Sequence, residues 1–247
     1  MVTRKFEELA MNAWPSLQTK LYDGWVLRFA NGYTRRANAV CPIYESTLSL
    51  DEKIDFCEKE YELQNLPAQF KLTAESKPKG IDSRLEERGY VRINETTLRT
   101  MDLSQYACPE SHDVIVESQF NDKWLAGFFE CSNIVDKEVQ LSARKILNNI
   151  LGPVIYVTKQ MEGKIVACGY GAIEGDYVGI FDIVVDENFR RNGYGNDIMN
   201  GILKTALKMD IKIAYLQVTA GNIPAEKLYE KIGFKEAYRY WYRKSEK

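Results

Sequence analysis

The sequence is poor in the residues that most often carry metal, disulfide and membrane chemistry. It has one histidine, His112, so a histidine-based metal centre has almost nothing to draw on. Its five cysteines (Cys41, Cys57, Cys108, Cys131 and Cys168) are odd in number and scattered, with no Cys-x-x-Cys pair. That argues against a disulfide framework and against a zinc site. No apolar run reaches the roughly 18 residues that a membrane span needs. The opening "MVTRKFEELAMNAWPS" is polar and has no apolar core of the signal-peptide kind. A formal charge of −2 supplies no global basic field for sequence-independent nucleic-acid binding. The expectation is a reduced, cytoplasmic protein with no metal, no nucleic acid and no membrane among its partners.

What is present suits a folded α/β protein. At 247 residues, 45% hydrophobic and 28% charged, the chain can bury one large core or two small ones. "GWVLRFA" and "NAVCPIYE" read as strands around the turn "NGYTRR". "SLDEKIDFCEKEYELQ" reads as an amphipathic helix capped by Ser49 or Asp51, and "AQFKLTA" as a further strand. Later in the chain, "DKWLAGFFECS" and "DKEVQLSARKILNNI" are helical. "PVIYVTKQ", "KIVACGYGAI" and "YVGIFDIVV" are consecutive strands. "NDIMNGILKTALKM" has helical spacing at Ile198, Ile202, Leu203 and Ala206.

The two halves end alike. "LEERGYVRINETTLRTMDL" parallels "YEKIGFKEAYRYWYRKSEK", with Gly89 aligned to Gly233 and Leu85 opposite Tyr229. Similarity at domain length implies duplication. The expected division falls in "SQYACPESHD", giving domains 1–107 and 108–247.

The segment "IVVDENFRRNGYG" places glycines and arginines where a strand turns into a helix. The first amides of a helix have no partner within it, and with the helix dipole they attract an anion. A Cβ at Gly193 or Gly195 would hold a phosphate away, and Arg190 and Arg191 can add charge-assisted contacts. No Gly-Lys-Ser/Thr follows, which excludes a P-loop.

With Arg190-x-x-Gly193-x-Gly195 followed by Asn222, Ala225, Leu228, Tyr229, Gly233 and Phe234, the last 135 or so residues resemble the GCN5-related N-acetyltransferase (GNAT) superfamily. The resemblance implies two mixed, largely antiparallel sheets flanked by helices, in tandem. It implies acetyl-CoA as cosubstrate, with the pantetheine arm laid along Ile183, Val184 and Val185 like an added strand. The pyrophosphate would sit on the amides of Arg191, Asn192, Gly193, Tyr194, Gly195 and Asn196, and Asn222 and Tyr229 join the cofactor-binding set. The first half lacks Gly-x-Gly and the tyrosine, and resembles a degenerate copy, so one CoA site per chain is expected.

The resemblance casts Tyr229 as the general acid for the leaving thiolate, and a backbone amide near Val185 as the group that polarises the carbonyl. Members acting on protein N-termini often carry a glutamate twelve residues before the tyrosine; here that position is Gln217. Asp182, inside an apolar strand, is the candidate base or amine anchor, with Glu174 and Glu130 behind it. The expected acceptor is a small-molecule amine that attacks the thioester directly in a ternary complex, with a protein or peptide amine next. A CoA-binding module without transferase activity is the alternative. Homodimerisation stays open.

Overall fold

The computed structural model describes residues 2–107, 109 and 113–245, so Cys108 and His112 lie outside the described residues. The protein is α/β and forms two compact units, Met1–Thr97 with Tyr238–Lys247, and Leu98–Ala237. The sequence reading divides the chain after residue 107. The compact units instead divide within two strands, after Thr97 and after Ala237, and the C-terminal segment returns to the first unit, because strands take their place from ladder partners rather than from chain order.

The first unit opens with α1 (Val2–Ala13), then β1 (Gln18–Tyr22), β2 (Trp25–Phe29), β3 (Val40–Pro42), α2 (Leu50–Glu62), β4 (Gln69–Thr73) and α3 (Ile81–Glu87). β1 and β2 form a hairpin whose two turn residues, Asp23 and Gly24, both have positive φ, as a tight hairpin turn requires. A Cβ on Gly24 would lie 2.1 Å from the Glu45 carbonyl oxygen. Of the two expected caps for α2, Ser49 is the one used. Its side chain accepts from the Glu52 amide, while the Glu52 carboxylate accepts from the Ser49 amide. β11 (Lys235–Lys244) enters this sheet antiparallel to β4, with Tyr240 opposite Thr73. The core gathers Trp25, Leu27, Ile54, Tyr61, Phe70, Leu72 and Leu85. Beside it the buried Glu7 and Lys71 pair at 2.7 Å, and the Tyr238 hydroxyl donates to Glu7.

In the second unit the strand order is β5-β10-β9-β8-β7-β6. The strands are β5 (Val91–Asp102, entering this unit at Leu98), β6 (Ile115–Glu117), β7 (Val154–Met161), β8 (Lys164–Glu174), β9 (Tyr177–Val185) and β10 (Ile213–Thr219). β6 to β9 pair antiparallel, and β10 lies parallel to β9. A parallel neighbour needs a crossover, which α6 (Tyr194–Lys208) provides. Ile198, Ile202, Leu203 and Ala206 of α6 are all buried, as the spacing predicts. α4 (Asp122–Cys131), α5 (Lys137–Asn148) and α7 (Ile223–Ile232) complete the unit. Among the described residues no helix is long and apolar enough to cross a membrane, and no three His, Cys, Asp or Glu side chains cluster as a metal site.

Candidate active site

β9 and β10 start as regular parallel neighbours and then part. The last rung of their ladder is Leu216 opposite Ile180, yet β9 runs on to Val185 and β10 to Thr219. On its other side β9 stays paired with β8, through Cys168 opposite Val184 and Ala167 opposite Val185. The strand edge facing β10 is therefore released from Phe181 onward, and Gln217 is the first β10 residue past the last rung.

A bulge sits where the strands part. Between the rungs Tyr170–Phe181 and Cys168–Val184, two residues, Asp182 and Ile183, face the single Gly169. An extra residue on one strand bends it and sharpens its twist. Asp182 adopts φ +51°, a left-handed conformation that aspartate tolerates better than bulkier residues. Gly169 leaves the room: a Cβ there would lie 2.3 Å from Ile183 Cδ1. Asp182 is half-buried, on the strand the sequence reading chose.

Past Val185 the chain makes a short turn at Glu187–Phe189 before α6. Asp186 sets this turn. It is buried, its carboxylate accepts from the Asn188 amide, and the Lys164 ammonium donates to it at 2.8 Å. Lys164 and these hydrogen bonds hold the Asp186 carboxyl below the usual carboxylate range. Nothing in the motif reading singled out Asp186, although an aspartate two residues before an asparagine is a recognisable turn signal.

Gly193 caps α6 at φ +83°, and Arg191 is also left-handed at +66°. The first amides taken up by the helix are those of Asn196 and Asp197, both donating to the Gly193 carbonyl. Asn196, expected to face a phosphate, therefore spends its amide on the first turn, and the amides before it form the tip of the helix. Arg190, Arg191 and Asn192 are exposed, and the Arg190 Nε donates to the Val185 carbonyl at 3.4 Å. The Tyr194 ring lies 5.5 Å from the Lys159 ammonium.

Gly195 is where three elements meet. A Cβ built there would lie 3.7 Å from Val185 Cγ2 and 3.6 Å from Leu228 Cδ2, ordinary contact distances. The fold itself does not exclude a side chain at this position, so packing alone does not account for the glycine. Ile183, Val185, Tyr194, Leu228 and Tyr229 all pack against one core. Tyr229 stands edge-on to Phe234, with ring centroids 6.2 Å apart, and burial pushes its hydroxyl up to about 12. α7 is held by Arg99 on β5, which donates to Glu230 at 3.0 Å. Asn222 is exposed and caps α7, accepting from the Ala225 amide at 3.4 Å. The structure thus brings Ile183, Val185, Gly195 and Tyr229 around one core, and leaves Asn222 engaged at its own helix end.

The chain has counterparts among known proteins. Residues 2–243 match the family described as "Probable histone acetyltransferase Rv0428c C-terminal". The chain belongs to that family of acetyltransferases. It is 28% identical to the "Uncharacterized N-acetyltransferase YobR" of Bacillus subtilis (strain 168), over 97% of each chain. A shorter match, 32% identical over 75 residues, covers 30% of this chain and 51% of the "[Ribosomal protein bS18]-alanine N-acetyltransferase" of Escherichia coli (strain K12). In fold the chain is similar to a GCN5-related N-acetyltransferase from Kribbella flavida, with TM-score 0.73, 14% identity and coverage of 100% and 96%. It is also similar to a tandem GNAT protein from the clavulanic acid biosynthesis pathway, with TM-score 0.64, 12% identity and coverage of 96% and 87%. The protein is thus a GNAT-superfamily N-acetyltransferase, a group that generally uses acetyl-CoA.

Proposed function

We propose that the second unit binds acetyl-CoA in the gap between β9 and β10 and passes its acetyl group directly to a primary amine, most readily that of a small molecule. One observation carries the reading: the β9–β10 ladder ends at Ile180 and Leu216 while both strands continue. Main-chain groups on a released strand edge can pair with an extended amide-bearing arm as they would with another strand. The glycines fit the same cosubstrate, since Gly193 needs its left-handed φ and Gly195 leaves open a space that a Cβ would enter. Ile183, Val184 and Val185 would hold the arm, and the amides from Arg191 to Gly195, with Arg190 and Arg191 beside them, the diphosphate. Bound acetyl-CoA supplies an activated acetyl thioester.

The chain's own residues then have separable tasks. A backbone amide near Val185 would stabilise charge on the carbonyl oxygen. Tyr229 keeps its proton at neutral pH and can release it to a departing sulfur. Asp182 would anchor or deprotonate the amine while also forming the bulge. Asparagine tolerates the left-handed region nearly as well, so Asp182→Asn removes the charge and spares the conformation. If Asp182 is the base, the acidic limb of the pH–rate profile disappears in that variant; an unchanged profile limits Asp182 to shaping the strand.

Gln217, at the fork in place of a carboxylate, supports a small-molecule acceptor. The bS18-alanine acetyltransferase match supports a protein amine as the second reading. Thiol release from acetyl-CoA, measured against small amines and against peptides with a free N-terminal alanine, separates the two. No amine-dependent thiol release from either group, despite CoA binding, would remove the transfer reading.

We further propose that the first unit is a degenerate GNAT copy without a CoA site. At the position matching the start of α6, α2 opens with a capping box between Ser49 and Glu52 in place of a Gly-x-Gly turn. Leu85, opposite Tyr229 in the internal alignment, is fully buried in that unit's core.

A further inference from the structure

The first unit has a parallel strand pair of its own. β3 and β4 share one rung, Val40 opposite Phe70, although β3 runs on to Pro42 and β4 to Thr73. α2 is the crossover between them, as α6 is between β9 and β10. In open α/β sheets, ligands collect beyond the carboxyl ends of such strands. Here a cavity of about 420 Å³ lies past those ends, with Thr3, Arg4 and Glu7 of α1 along one wall. Its volume is that of a small-molecule site. It does not suit an extended arm, because the chain itself crosses the end of β3. The Lys77 amide donates to the Pro42 carbonyl at 2.8 Å, and the Trp25 indole donates to the Lys77 carbonyl at 2.8 Å.

We infer that this cavity binds a small zwitterion of the free α-amino acid type, with its ammonium inward and its carboxylate toward the mouth. Four buried polar side chains, Thr3, Glu7, Thr73 and Ser76, form the floor. Glu7 is 1% exposed, and its two oxygens are unequally engaged. Oε1 accepts from Lys71 at 2.9 Å and from the Tyr238 hydroxyl at 2.8 Å, whereas Oε2 meets only the Lys71 ammonium, at 2.7 Å. Each carboxylate oxygen has two lone pairs, so Oε2 keeps one for a ligand N–H. Thr3 is 8% exposed, and its hydroxyl bonds to no other described residue. The Ser76 hydroxyl accepts from the Thr73 amide at 2.9 Å and keeps its own proton to donate. At the mouth Lys77 is paired with Glu45 at 2.9 Å, and Arg4 pairs loosely with Glu8 at 3.7 Å. The exposed Lys79 has no ion pair among the described residues, so it and Arg4 can take a carboxylate. In all, Arg4, Lys77 and Lys79 line the cavity against Glu7, Glu45 and Glu75. That balance suits a ligand carrying both charges and works against one carrying a single charge.

Binding at this cavity does not depend on acetyl transfer, and calorimetry reads it directly. The full chain, without acetyl-CoA, is titrated with each of the common α-amino acids at millimolar concentration. At least one is expected to bind at a single site per chain. Its N-acetyl and carboxamide derivatives each lack one of the two charges and should bind about tenfold or more weakly. Glu7→Gln should weaken the amino acid by a similar factor, but it also unpairs Lys71. Thr3→Val breaks no ion pair and is read beside it, with an expected loss of about fivefold. No binding across the panel, equal affinity for either derivative, or equal affinity in Thr3→Val would overturn the inference. Should Glu7→Gln fail to fold, the Thr3 variant and the two derivatives decide.

Discussion

Tyr229 shows how one side chain can serve both stability and chemistry. Burial against the core of the second unit pushes its hydroxyl up to about 12, whereas an unfolded tyrosine titrates near 10. The folded state therefore keeps a proton that the unfolded state gives up. The resulting stability is fully present below about pH 10 and is lost as pH rises toward about 12. The Tyr229→Phe protein should accordingly lose less stability than wild type when melted across that alkaline window. In catalysis the same burial keeps the donor protonated throughout the neutral range. Tyr229→Phe should lower kcat by about 10²-fold with little change in the KM for acetyl-CoA. Unaltered turnover would leave the tyrosine a packing residue. Asp182 carries the opposite ambiguity. Its left-handed φ gives it a conformational task that its charge does not need, which is why asparagine, rather than alanine, is the informative replacement.

Glycines make the same point for elements, because their reasons differ along one sheet. At Gly171 a Cβ would lie 2.6 Å from Ile202 Cγ2 and 2.9 Å from Val178 Cγ2, so the close packing of α6 on β8 requires its absence. Gly171→Ala should cost about 1–3 kcal/mol in a denaturant titration. At Gly195 the same methyl meets only ordinary contacts at 3.6 and 3.7 Å. Gly195→Ala should melt like wild type yet bind acetyl-CoA about tenfold more weakly, a difference near 1.4 kcal/mol, as read by calorimetry. Equal affinity would mean that the helix tip does not hold the cosubstrate. The helix–glycine–strand junctions that suggested duplication are alike in structure: Gly89 follows α3 and Gly233 ends α7, both with positive φ. α1 and β1 were not legible. α1 has no acidic residue in its first turn and no basic one in its last, and β1 is an exposed strand without the alternation that marks a half-buried one.

For the molecule as a whole, stoichiometry is the decisive number. A single acetyl-CoA per chain is expected in titration calorimetry, since the first unit lacks the Gly-x-Gly motif and has Leu85 where the second has Tyr229. Two equivalent sites would restore the first unit as a working copy. Compactness and chain order also separate at this scale. Residues from Tyr238 onward follow the second unit in sequence but belong to the first in space, because β11 from Tyr240 to Lys244 pairs with β4.

Local sequence was enough for the helices with a clean apolar stripe, the glycine-opened start of α6 and the motif that ends at Phe234. Each depends on residues within a turn or two of one another, where backbone sterics and side-chain period dominate. The fork between β9 and β10 needed the tertiary structure. It depends on where a ladder between Ile180 and Leu216 stops, and on a bulge that sets two residues against Gly169. Hydrogen bonds and contacts between distant segments leave no local pattern, so packing alone decided where the strands part and which side chains face the gap.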